Sequence, residues 1–98
     1  MLFRSRRDVS VSLNKVAGIE EARGDLDAAL AKYGESLEIR RALAEKLGTP
    51  ESRRDVSVSL GKVAGIEEAR GDLDAALAKY EEIHQKMRAL AEIGRAHV

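Results

Sequence analysis

Between residues 50 and 70 the apolar positions Val56, Leu60, Val63 and Ile66 step by four, three and three, which keeps them on one face of a helix. A longer stripe follows, Leu73, Ala76, Leu77, Tyr80, Ile83, Met87 and Leu90, and predicts a helix running to about residue 92. The first half carries the same pattern. It predicts helices at about 6–22 and 26–47, the second presenting Leu26, Ala29, Leu30, Tyr33, Leu37, Ala44 and Leu47. Strand-like alternation occurs only in Val9-Ser10-Val11-Ser12-Leu13 and its twin Val56 to Leu60. Val and Ser are weak helix formers, but the apolar steps beyond each segment continue the helical register. The chain is predicted to be all-α, with four helices.

Stop and start signals sit between the stripes. In Leu47-Gly48-Thr49-Pro50-Glu51, Gly48 suits the left-handed residue that ends a helix. Thr49 caps the next one, Pro50 fits its first turn without losing a hydrogen bond, and Glu51 complements the positive end of the dipole. Gly24-Asp25 and Arg70-Gly71-Asp72 make the turns inside each half, with Asp72 a natural N-cap.

The halves are copies. Ser5 to Tyr33 recurs as Ser52 to Tyr80 at an offset of 47, with one difference, Asn14 against Gly61. A period this regular marks stacked-repeat proteins, in which each unit leans on its neighbour. Two units are fewer than the roughly three such arrays need, and neither outer face has polar caps. The isolated chain is therefore expected to be marginally folded or to associate end to end.

Composition narrows the function classes. Seventeen basic side chains balance seventeen acidic ones across 98 residues, so no strong field draws the chain to nucleic acid or an anionic membrane. Without cysteine there is no disulfide framework and no thiolate metal site. No apolar run approaches the roughly 20 residues needed to cross a bilayer, and Met1 to Arg7 lacks the core of a secretory signal. A cytoplasmic location is expected.

No catalytic constellation emerges, and neither a cofactor nor a metal is expected. Gly61-Lys62 matches only the end of a phosphate loop, because Val56 replaces the leading Gly and Val63 the closing Ser or Thr. His84 and His97 belong to no metal-spaced set, and His84 reads as a boundary residue. Glu20-Glu21 and Glu67-Glu68 point about 100 degrees apart on a helix and do not converge as acid–base pairs. They read as surface charge, with Glu20–Arg23 and Glu67–Arg70 at helical spacing. The doublets Arg6-Arg7, Arg40-Arg41 and Arg53-Arg54 each have an acid nearby and no interleaved aromatics, and read as solvated faces. Gly18 and Gly65 stand out, since each costs roughly 1 kcal/mol against Ala inside a helix. A close helix contact or an open groove would explain them.

Gly24-Asp25-Leu26-Asp27-Ala28-Ala29-Leu30-Ala31-Lys32-Tyr33, repeated as Gly71 to Tyr80, resembles the centre of a tetratricopeptide repeat. Ala29 and Tyr33, with Ala76 and Tyr80, occupy that family's small and aromatic places. Leu13, Val16 and Ala17, with Leu60, Val63 and Ala64, resemble its first-helix positions, and Ser36 a further small one. The period of 47 exceeds the usual roughly 34, as in extended variants such as those of kinesin light chains. Glu20 and Glu67 replace the first-helix aromatic, and Ile83 is larger than the family's residue there.

The resemblance implies a right-handed α-solenoid fragment of two helix-turn-helix units, 6–48 and 49–91. It further implies a concave face on the first helix of each unit, bearing Val11, Asn14, Gly18 and Glu21, then Val58, Gly61, Gly65 and Glu68. The expected function is non-catalytic binding of a peptide or protein segment on that face. The alternative is a spacer, sensor or self-association unit in a larger bacterial regulatory protein, beside an NTPase or protease domain.

Both termini read as foreign. Glu92-Ile93-Gly94-Arg95-Ala96-His97-Val98 is encoded by GAG ATC GGA AGA GCA CAC GTC, which resembles a sequencing-library adapter. Leu2-Phe3-Arg4-Ser5 fits CTC TTC CGA TCT, the end of its companion. Residues 1–5 and 92–98 are thus expected to be non-native tails on an internal slice of a longer array. Sequencing the native locus is expected to depart from these codons after Glu92; a genomic read continuing unchanged through Val98 would rule the reading out.

Overall fold

Three side chains start three of the helices. Ser5 accepts the Asp8 amide at 3.1 Å, Asp25 that of Ala28 at 3.2 Å, and Thr49 that of Ser52 at 3.1 Å, each satisfying an otherwise orphaned first-turn donor. The computed structural model describes residues 5–96, with side chains through Glu92. They form α1 (Arg6–Ala22), α2 (Leu26–Leu47), α3 (Pro50–Ala69) and α4 (Leu73–Ala96). There is no strand among the described residues, and both Val/Ser segments are helical. Residues 1–4, 97 and 98 lie outside the described residues, and with them most of the expected amino-terminal tail and His97.

Helix ends follow the sequence signals except in α4, where the Asp72 carboxylate lies 3.7 Å from Arg70 and makes no capping bond among the described residues. Gly24 and Gly71 adopt φ of 83° and 86°, closing α1 and α3 through matching turns. Asp25 N donates to Glu20 O and Asp72 N to Glu67 O, both at 2.8 Å, the six-to-one bond of a Schellman cap. Gly48 ends α2 at φ 65°, and Pro50 stands in the first turn of α3. Helix α4 also continues to Ala96 rather than ending near 92. Gly94 weakens a helix there without supplying the combined stop of Gly48, Thr49 and Pro50.

Each helix packs on the next along the chain, α1 on α2, α2 on α3, α3 on α4. The result is a slab of 45 × 41 × 17 Å. Its core lies at the middle joint, where Tyr33 and Leu37 of α2 meet Val56, Leu60, Val63 and Ile66 of α3. Ala17 and Ala29 complete it, and Leu26, Leu30, Ala44 and Ile83 pack around the margin.

Position in the row, not residue type, decides burial. Ile66 is 1% exposed and its twin Ile19 62%; Val63 is 4% exposed and Val16 42%. Tyr33 is 2% exposed and Tyr80 42%. These twins share identical local sequence, so propensity cannot separate them. What differs is a neighbour: α3 has α2 against its stripe and α2 has α3, whereas α1 and α4 carry the same stripes on the outside. Burying each such side chain is worth about 1.5–3 kcal/mol, a gain the end helices forgo. Leu47, expected on the α2 stripe, is likewise exposed at the helix end.

Candidate functional site

The eight residues expected on one face occupy helical stripes, at steps of three, four and three on α1 and again on α3. Val11 borders a shallow depression on α1 with Asp8, Ser12 and Lys15. Val58 is half exposed and borders a different hollow, an apolar crevice of about 330 Å³ shared with Ile83, Met87 and Leu90. The two halves of the expected face therefore open on separate hollows.

The glycines differ from one another. A Cβ at Gly65 would meet nothing within 4 Å, so no close contact requires glycine there, and the backbone faces open space. At Gly18 a Cβ would stand 3.6 Å from the Tyr33 hydroxyl, and at Gly61 3.8 Å from Cδ1 of Ile83. The one difference within the 29 matched residues thus has Gly61 in ordinary contact range of Ile83, whereas Asn14 holds an amide oxygen buried without a partner.

Glu21 and Glu68 are exposed but engaged. Each accepts a hydrogen bond at 3.1 Å from the hydroxyl of Tyr33 or Tyr80 on the following helix. Burial, reinforced by that carboxylate, raises the Tyr33 pKa above its ordinary value. Beside them Lys32 donates to Glu20 at 2.8 Å and Lys79 to Glu67 at 2.9 Å. These cross-helix ties replace the expected Glu20–Arg23 and Glu67–Arg70 pairs. Arg70 instead lies 3.3 Å from Asp27 and 3.7 Å from Asp72.

Arg40 overturns the reading of the basic doublets as solvated faces. It is buried between three helices: Nε donates to Ser10 Oγ at 2.9 Å, and Nη1 donates to Ser59 Oγ at 3.2 Å and to the Asp55 carbonyl at 3.3 Å. Burial lowers its pKa from the ordinary value, with Asp55 opposing and Arg7 adding to the shift. A guanidinium still keeps its charge there. Ser36 Oγ donates to the Ser10 carbonyl at 3.0 Å, closing the same network. One repeat further on, Ile83 replaces Ser36 and Met87 replaces Arg40. Ser57, the twin of Ser10, is left with a buried Oγ that has no partner, and the apolar crevice opens beside it. The signal was in the sequence: it is where the copies stop agreeing, after Tyr33 and Tyr80.

Among the described residues no group of three or more His, Cys, Asp or Glu is placed to hold a metal. No helix among them is long and apolar enough to cross a membrane. His84 is exposed, not at a burial boundary. Comparison with known families, curated proteins and solved structures finds no match to this chain.

Arg41 spans α2 and α4, meeting Glu82 through two bonds of 2.7 and 3.1 Å. The hydrogen bond from Arg41 holds the Glu82 carboxyl below its ordinary pKa of 4.5. A carboxylate depressed in the folded state takes its proton first in the unfolded chain, so its contribution is present above the ordinary value and is lost as pH falls through the folded one. Both side chains are about a third exposed, which keeps the effect small. Glu82→Gln is expected to remove part of the stability loss below about pH 4.5 in urea titrations; an unchanged acid limb would contradict the tie.

Proposed function

We propose that the chain is a non-catalytic interaction module, a tetratricopeptide-like pair of repeats that binds a peptide or protein segment on the first-helix faces of α1 and α3. The observation that carries this reading is the crevice beside Val58, where Ile83, Met87 and Leu90 expose apolar surface. An apolar peptide side chain seated there is shielded from water, and Glu68 lies further along the same stripe to meet a polar neighbour. Helices tied by repeated Tyr–Glu and Lys–Glu bonds present this surface already formed, so little ordering entropy opposes binding.

Support for the repeat architecture is the duplicated geometry of those ties, equal at 3.1 Å for the tyrosines. The balanced charge speaks against nucleic acid and anionic membranes as partners. A cytoplasmic location within a bacterial protein fits the same reading. Screening the full chain against a displayed peptide library is expected to select ligands with an apolar anchor. Val58→Asp is expected to weaken them by tenfold or more, roughly 1.4 kcal/mol. Failure to select any ligand, or ligands indifferent to Val58→Asp and Glu68→Gln, would contradict it.

A further inference from the structure

The exposed stripes at the two ends of the row are complementary, because each is the twin of a stripe that the fold already buries. Val9, Val16 and Ile19 on α1 match Val56, Val63 and Ile66, which are buried against α2. Leu73, Leu77 and Tyr80 on α4 match Leu26, Leu30 and Tyr33, which pack against α3. All six end residues are exposed. The molecule thus carries, on opposite sides, both halves of its own middle joint.

Charge follows the same register. Three ion pairs link the first copy to the second: Asp27–Arg70 at 3.3 Å, Arg7–Asp55 at 2.7 Å and Arg41–Glu82 at 2.7 Å. Advancing the first partner by 47 and setting the second back by 47 gives Asp74 with Arg23, Arg54 with Asp8, and Arg88 with Glu35. Every one of these is opposite in sign, and all six residues are exposed. Two of these pairs follow from the identity of the repeats; the third, Arg88 with Glu35, lies beyond the matched segment and still keeps opposite signs.

We infer that a second copy of this chain is the partner of these end faces, with α4 of one molecule packed on α1 of the next in the register of α2 on α3. Such an interface is heterologous: it uses different surfaces on the two molecules and leaves one free face at each end. Molecules therefore add in a string, and the array continues without a covalent link. Two substitutions make the joint weaker than its template. His84 stands where Leu37 is buried, and Met87 replaces Arg40 with its bonds to Ser59 and Asp55. The inference is independent of whatever ligand occupies the crevice beside Val58.

Sedimentation of the full chain over a range of concentrations tests it. The weight-average mass is expected to rise past a dimer. Ile19→Asp and Leu77→Asp, both at exposed positions, are each expected to be monomeric alone and to form a dimer, and nothing larger, when mixed. His84→Leu is expected to shift assembly to concentrations lower by about tenfold. Circular dichroism checks that each variant is helical, and Val16→Asp with Leu73→Asp provides a second pair should either member of the first unfold. A monomer at every concentration overturns the inference. So does either single variant assembling like the unaltered chain, which would mean pairing of like faces, or a mixture that stays monomeric.

Discussion

The joint between α2 and α3 holds most of the buried apolar side chains among the described residues, and the remaining structure depends on it. Nearly all of the core cluster comes from these two helices, with Ala17 the contribution of α1 and Ile83 a marginal one from α4. A helix stripe lowers free energy only when another surface removes it from water. In a row of four, only the inner two helices have a stripe partner on the far side of their own hairpin. The end helices stay attached through their hairpin contacts and through polar ties such as Lys32–Glu20 and Lys79–Glu67. That division explains how 29 nearly identical residues produce a buried α3 and a half-exposed α1.

Polar bonding decides what the two hairpins look like toward their carboxyl-terminal halves. In the first, Arg40 and Ser36 reach Ser10 and bond across α1 and α2, beside a hollow of about 230 Å³ lined by Arg7, Arg40, Leu43 and Leu47. A buried guanidinium is tolerated there because Ser10, Ser59 and the Asp55 carbonyl accept its hydrogens, offsetting the lost hydration. In the second, Ile83 and Met87 supply volume but no donors, so Ser57 is stranded and a crevice forms. Sequence divergence in the second helix thus replaces a hydrogen-bonded seam with an apolar one. The proposed ligand contact is a consequence of that change rather than of the repeated segment itself.

Much of this was legible in the residues. Thr49, Pro50, Gly48 and Gly24 bound the helices because capping chemistry is local and acts over one turn. Burial was harder, since a stripe such as Leu73, Leu77 and Tyr80 announces an apolar face but not whether anything covers it. A pattern of charges treats Arg40 as exposed, whereas its burial comes from acceptors on two other helices. Ion pairs failed for a related reason. Glu20 and Arg23 have helical spacing, but the turn brings Lys32 closer, and i to i+3 pairs are worth only a few tenths of a kcal/mol. At Gly65 the absence of any neighbour within 4 Å removes the close-contact explanation, which a residue pattern alone does not do.

Chemical denaturation of Ile66→Ala beside Ile19→Ala tests the dependence on the middle joint most directly, because substitution and local sequence are the same in both. Ile66 is 1% exposed and Ile19 62%. At a protein concentration where the chain is monomeric, the first change is expected to cost about 2–5 kcal/mol and the second within about 0.5 kcal/mol. Equal losses at the two positions would mean that each hairpin carries its own stability, and that the two central stripes do not hold the row together.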